Sequence, residues 1–121
     1  MPERLRVADL KPGSSDVELL VRVVSVGEPK TAGAHTLSMV KVADETGAVS
    51  LALWDEQVGM LQEGQTVRIR GAYVRVFRGR MQLALGRRGR IGPVDVELKE
   101  VNTLNDVSER TVPVSGQVRR R

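Results

Sequence analysis

The residues best suited to chemistry in this 121-residue chain are three aromatic side chains, because two of them lie among arginines. The sequence has one Trp, one Tyr and one Phe. Tyr73 and Phe77 lie in the stretch GAYVRVFRGR, together with Arg75, Arg78 and Arg80. Exposed aromatic rings stack on other flat π-systems, and guanidinium groups pair with phosphates. The stretch therefore indicates a surface that binds an anionic ligand carrying rings, provided that the surrounding elements expose it.

Other reactive residue types do not form a catalytic constellation. The chain has no Cys, which excludes disulfides, thiolate chemistry and Cys-based zinc sites. Its single His, His35, lies in the loop-like stretch GEPKTAGAH with no nucleophile beside it. Asp44 and Glu45 are adjacent, but they belong to DETG, which is typical of a tight turn. We therefore predict a protein that is not an enzyme and that uses neither metal nor cofactor.

The positive charge is concentrated in one segment. Residues 1–67 hold six Lys or Arg against ten Asp or Glu, residues 68–90 hold eight Arg and no acid, and residues 91–121 hold five of each. Such a patch is the electrostatic footprint of a polyanion partner. No apolar run is long enough to span a bilayer, and the N-terminus lacks a secretory h-region. We expect an intracellular protein without a membrane partner.

Alternation of apolar and polar residues predicts five strands. They occupy residues 17–28, 36–44, 48–55, 65–77 and 80–87. The only plausible central helix covers 55–64, with Asp55 as its cap and a length of one or two turns. This order, with a short helical link between strands 3 and 4, is that of an all-β, five-stranded OB-fold barrel.

The alternation also predicts which side chains face away from the core. In AVSLALWD every second residue is aliphatic, so Trp54 lies on the outer face. A one-residue shift at Gly71, as at a β-bulge, turns the two valines of AYVRVF inward and Tyr73 and Phe77 outward. In the fifth strand, Ala84 is predicted to face outward. All three aromatic rings therefore fall on the side opposite the aliphatic core.

The chain is expected to form one OB-fold domain over residues 1–99, including an N-terminal arm. Residues 100–121 are expected to form a partly mobile tail, in which EVNTLNDVSER is weakly helical at best and TVPVSGQVRRR is mobile. PVDVELK alternates like one more short strand, and GRRGR is predicted to be a flexible basic loop.

This surface fits single-stranded nucleic acid, which presents unstacked bases and phosphates together, whereas duplex DNA hides its base faces. The predicted stacking residues are Trp54, Tyr73 and Phe77. The predicted phosphate contacts are Lys30, in the flexible 28–35 loop, and Arg70, Arg75, Arg78, Arg80, Arg87 and Arg88. RNA is an alternative ligand, since no residue visibly reads the 2′-hydroxyl. A docking site for a protein partner is the third alternative, because interface hot spots also favour aromatics and Arg.

Three stretches together resemble a known family: LKPGSSDVELLVRVVSVGE, KVADETGAVSLALWDE and LQEGQTVRIRGAYVRVFRGRMQLALGR. They are similar to the single-OB-domain single-stranded DNA-binding proteins of archaea. They are also similar to the eukaryotic relatives in the sensor-of-single-stranded-DNA complex, a group related to replication protein A. The resemblance covers about residues 9–90. VADETG, the following LWD and then Y-x-x-x-F-[RK]-G carry it in combination.

The resemblance implies that Trp54, Tyr73 and Phe77 stack on bases and that Arg78 is the basic residue following them. It also implies roles in DNA replication, recombination and repair, with repair proteins as partners. The location would be the cytoplasm of an archaeon or the nucleus of a eukaryote. Ala84 stands where some relatives carry a further aromatic, which implies a shorter footprint on DNA. We expect a monomer or a weak oligomer.

Overall fold

Seven β-strands and two 3₁₀ turns make up the described part of the chain in a computed structural model. The model describes residues 3–4, 6–94, 98 and 100–109, with the backbone alone for 3, 4, 87 and 88. The strands are β1 (Glu3–Arg4), β2 (Val17–Val26), β3 (Lys30–Ala32), β4 (His35–Ala43), β5 (Ala48–Trp54), β6 (Thr66–Phe77) and β7 (Arg80–Pro93). None of the described helices is long and apolar enough to cross a membrane.

Five of the strands close into a barrel. The hydrogen-bonded order is β2–β6–β7–β5–β4, and β4 pairs back with β2. These pairings are antiparallel except that of β5 with β7, which is parallel where Leu51 meets Leu83 and Ala52 meets Ala84. Closure leaves no free edge in the ring. The predicted all-β, five-stranded OB-fold barrel is therefore confirmed.

The interior of the barrel is aliphatic, as alternation predicted. On β5, Val49, Leu51 and Leu53 are buried, while Trp54 on the other face is only half-buried. The largest fully buried side chains of the described residues are all Leu, Ile or Val. Full burial of each such side chain stabilises the fold by about 1.5–3 kcal/mol.

Strand β6 changes the facing of its side chains at Gly71, which has a φ of +69°. Relative to β2, β6 carries one extra residue here, so the predicted β-bulge is confirmed. In the pairing with β7, the extra residues lie on β7. There the single residue Gly71 stands opposite residues 86–89, next to the Arg70–Arg90 pair. GRRGR therefore lies within β7, and its prediction as a flexible loop was wrong.

The link between β5 and β6 contains a single 3₁₀ turn, Asp55–Gln57. Asp55 does not cap this turn, contrary to prediction, because its carboxylate contacts His35 and Thr36 instead. The Gln57 side chain instead accepts a hydrogen bond from the Trp54 N–H at 3.0 Å. Gly59, with a φ of +91°, follows too closely for an α-helix to continue.

The segment between β2 and β4 forms an ordered hairpin, although the sequence predicted a flexible loop. Strand β3 pairs with the beginning of β4, and Lys30 lies opposite Leu37. Gly33 supplies the positive φ, +65°, at the turn. The hairpin fixes the backbone of Lys30 beside the barrel.

Residues 100–109 pack against the barrel next to β5. Asp106 forms a parallel bridge with Ala48, and Val107 is buried. Lys41 of β4 forms an ion pair with Asp106. The described residues of EVNTLNDVSER form no helix. The predicted strand in PVDVELK lies mostly outside the described residues, and 110–121 lie entirely outside them.

Asp44 connects the N-terminal arm to the turn between β4 and β5. Its buried carboxylate accepts hydrogen bonds from the N–H and hydroxyl groups of Thr46 at 2.8 and 2.6 Å, and from the N–H of Gly47 at 3.2 Å. The second oxygen accepts the N–H of Val7 at 2.9 Å. The sequence predicted the bonding within the turn, whereas the bond to Val7 emerges only in the fold.

Candidate nucleic-acid interface

Tyr73 and Phe77 lie on the outer face of β6, with 39% and 44% of their surfaces exposed. Tyr73 pairs with Ala84 on β7, and Ala84 pairs with Ala52 on β5. Both alanines are buried, although the sequence predicted that Ala84 would face outward. Ala84 shares the outer face with its strand partner Tyr73, but its side chain is only a methyl group. Tyr73 therefore has small residues beside it on the two neighbouring strands.

Trp54 lies at the end of β5 on the same outer surface. Its ring meets His35 edge-on, with the centroids 6.4 Å apart and an interplanar angle of 89°. Leu37 pairs with both Trp54 and Lys30 on its two neighbouring strands. Directly opposed residues in a sheet point to the same side, so Lys30 and Trp54 share one surface.

Asp55 holds His35 beside Trp54. Its carboxylate accepts the Thr36 N–H at 3.0 Å and contacts His35 Nδ1 at 2.9 Å. The hydrogen bond from Thr36 and then the contact with His35 lower the pKa of Asp55 below its ordinary value. Because the pKa is lowered in the folded state, this arrangement is present at neutral pH and is lost as pH falls through that lowered pKa.

Phe77 is flanked by two arginines at the tip of the β6–β7 hairpin. The guanidinium carbon of Arg75 lies 5.5 Å from the ring centroid, and that of Arg78 lies 5.1 Å from it. Both distances are within the range of cation–π interactions, about 6 Å. Arg78 and Gly79 have φ values of +54° and +80°, as a two-residue primed turn requires. The turn thus places the guanidinium group of Arg78 over the ring of Phe77.

The same hairpin extends past the end of the barrel. Val76, the second valine of AYVRVF, was predicted to face the core, but 44% of its surface is exposed. Its partner across the hairpin is Met81, and β2 pairs with β6 only as far as Ala72. Within the described residues no core layer covers Val76, because the hairpin extends past the part of β6 that pairs with β2.

Arg70 lies in a separate groove of about 310 Å³, which Arg68 and Arg90 also line. One Glu18 oxygen lies 3.8 Å from Arg68 Nε, and the other lies 3.8 Å from Arg70 Nε. The structure therefore groups Arg75, Arg78 and Arg80 near Phe77, but not Arg70. The side chains of Arg87 and Arg88 lie outside the described residues.

Residues 10–93 match the family described as single-stranded DNA binding protein Ssb-like, OB fold. The chain belongs to this Ssb-like family.

Relatives of this Ssb-like chain occur in archaea and plants. It is 38% identical over 90 residues to the single-stranded DNA binding protein Ssb of Saccharolobus solfataricus, covering 71% of this chain and 61% of that protein. It is 30% identical to replication factor A of Methanothermobacter thermautotrophicus, covering 89% of this chain but 15% of that protein. The chain thus spans less than two thirds of the length of both relatives. A solved hypothetical protein of Arabidopsis thaliana shares the fold, with a TM-score of 0.77, 24% identity, and coverage of 96% of this chain and 92% of that one.

The Ssb-like chain also has a groove beside Phe77 that the sequence did not predict. It measures about 290 Å³ and lies between the β6–β7 hairpin and residues 108–109. Gln82 and Glu109 line it together with Phe77. Residues 108–109 gave no periodic signal, so only the packing of the C-terminal segment reveals this wall.

Proposed function

We propose that this Ssb-like protein binds single-stranded DNA with little sequence preference. Bases would stack on Trp54, Tyr73 and Phe77, while basic side chains contact the phosphates. The observation that carries the proposal is the pair of guanidinium groups over the exposed ring of Phe77. A base that stacks there lies next to cations, so its own phosphates are neutralised at the same place.

Lys30, Arg78 and Arg80 are proposed as phosphate contacts at the two ends of the aromatic surface. Lys30 stands on the Trp54 side, and the two arginines stand at the hairpin tip. Arg75 would contribute from beside Phe77. Arg70 is proposed to act farther along the strand, because Glu18 already offsets part of its charge.

The proposed role is non-catalytic and belongs to DNA replication, recombination or repair inside the cell. Within the described residues, no group of three or more His, Cys, Asp or Glu is placed to hold a metal ion. The name of the Saccharolobus relative supports DNA as the ligand. Repair proteins are proposed as further partners.

Fluorescence anisotropy with labelled oligo-dT and matched oligo-rU tests the proposal. We expect saturable binding of dT, and weaker binding of rU. Equal or tighter binding of rU would favour an RNA-binding module. Absence of binding to either oligomer, together with a protein partner captured after nuclease treatment, would identify the surface as a protein-docking site.

Salt dependence tests the cationic part of the surface. For wild type, log affinity is expected to fall linearly with log salt, by about 0.7 for each phosphate neutralised. Arg78→Asn should make this slope shallower by about 0.7. Asn tolerates the positive φ of Arg78, so the turn is kept. Arg6→Gln, at an exposed arginine of the N-terminal arm, serves as the charge-matched control and should leave the slope unchanged.

A further inference from the structure

The groove beside Phe77 combines a stacking ring with polar groups at its sides. Ser108 fixes its C-terminal wall, because its hydroxyl donates to the Met81 carbonyl at 2.6 Å and accepts the Ser50 N–H at 2.8 Å. Glu109 follows directly and lines the groove with Phe77. The buried hydroxyl of Ser108 therefore attaches this wall to both β5 and β7.

Two polar side chains in the groove are available to a ligand. Gln82 lies across the hairpin from Arg75, and its amide forms no hydrogen bond within the described part of the chain. The Glu109 carboxylate is largely exposed, and Lys41 Nζ lies 4.0 Å from it. Lys41 is already paired with Asp106, so it leaves the carboxylate free to accept further hydrogen bonds.

The side chains of Gln82 and Glu109 differ in the hydrogen bonds that they can form. An amide both donates and accepts hydrogen bonds, so Gln82 can pair with any base edge. A carboxylate only accepts, so Glu109 favours the amino group that cytosine carries at C4 and opposes the carbonyl oxygen that uracil and thymine carry there. A carboxylate that accepts from the N4 amino group of cytosine is an established form of base recognition.

We infer that the groove lined by Phe77, Gln82 and Glu109 is a base-reading subsite. It prefers a base with an exocyclic amino group, such as cytosine, over uracil or thymine. The inference rests on the proposed function and deepens it. At one position of a footprint that otherwise tolerates any sequence, the protein contacts the edge of the base. The residue that makes this contact, Glu109, lies in the segment that follows the barrel.

A positional scan tests the subsite. Short oligo-dT strands would carry a single dC or a single dU at each position in turn, because these two pyrimidines differ at the edge that Glu109 would meet. Wild type should bind the dC strand more tightly than the dU strand at one position, by about threefold to tenfold. At the other positions the two strands should bind alike.

The variant Glu109→Gln should abolish this difference, since an amide can pair with either edge. Loss of the carboxylate should also tighten binding to all strands slightly, through reduced repulsion. Glu63→Gln, at an exposed residue in the link between β5 and β6, is the charge-matched control and should keep the positional preference.

Equal binding of dC and dU strands at every position, or an unchanged preference in Glu109→Gln, would overturn the inference. The proposed function would survive both results. If wild type failed to bind the parent oligo-dT, the proposed function itself would fail, so the two failures are distinguishable.

Discussion

Alanine substitution of Trp54 or Phe77 is expected to weaken binding to oligo-dT by about 1–3 kcal/mol each, and the double variant by roughly 2–6 kcal/mol. Each change removes one stacking ring from the outer face and leaves the aliphatic core intact. The two rings lie on different strands, at opposite ends of the surface, so their effects should be nearly additive. Anisotropy titration with labelled oligo-dT measures the loss.

Two matched variants accompany this experiment. Trp54→Phe keeps a stacking ring and should retain most of the affinity. Met60→Ala removes an exposed apolar side chain from the link between β5 and β6, and should leave binding unchanged. If folded Trp54→Ala and Phe77→Ala bind oligo-dT as tightly as wild type, the stacking surface is wrongly assigned.

Asp44→Ala is expected to lower the free energy of unfolding by about 2–4 kcal/mol. It deprives the buried N–H groups of Val7 and Gly47 of their acceptor and releases the N-terminal arm from the turn. Urea denaturation followed by circular dichroism measures the change.

The neighbouring residue provides the control for this substitution. Glu45 lies in the same turn but is exposed, so Glu45→Ala should change stability by less than about 0.5 kcal/mol. Similar small effects of both substitutions would contradict the role of Asp44 as the connection between arm and turn.

The barrel and its outer aromatics were predictable because both depend on local pattern. Alternation on β5 predicted that Trp54 faces away from the core. On β6, Gly71 marked the point where the inward and outward positions change. An aliphatic residue every second position specifies a strand with one buried face, and the tight turns DETG and Arg78–Gly79 specify which strands are neighbours.

What remained unpredicted depends on contacts between distant parts of the chain. Residues 106–109 have no pattern of their own, and they are held by Lys41, Ala48 and Met81. The exposure of Val76 depends on where the barrel ends, and alternation within one strand does not indicate that position. Glu109 meets the Phe77 groove only because Ser108 attaches the C-terminal segment there.

The central claim is that bases stack on the exposed rings, and the intrinsic fluorescence of Trp54, the single tryptophan, tests it most directly. Emission would be followed while oligo-dT strands of increasing length are added. We predict saturable quenching whose affinity rises with length until the footprint is filled, and whose midpoint agrees with anisotropy. Tight binding by anisotropy without any change in Trp54 emission would contradict the account.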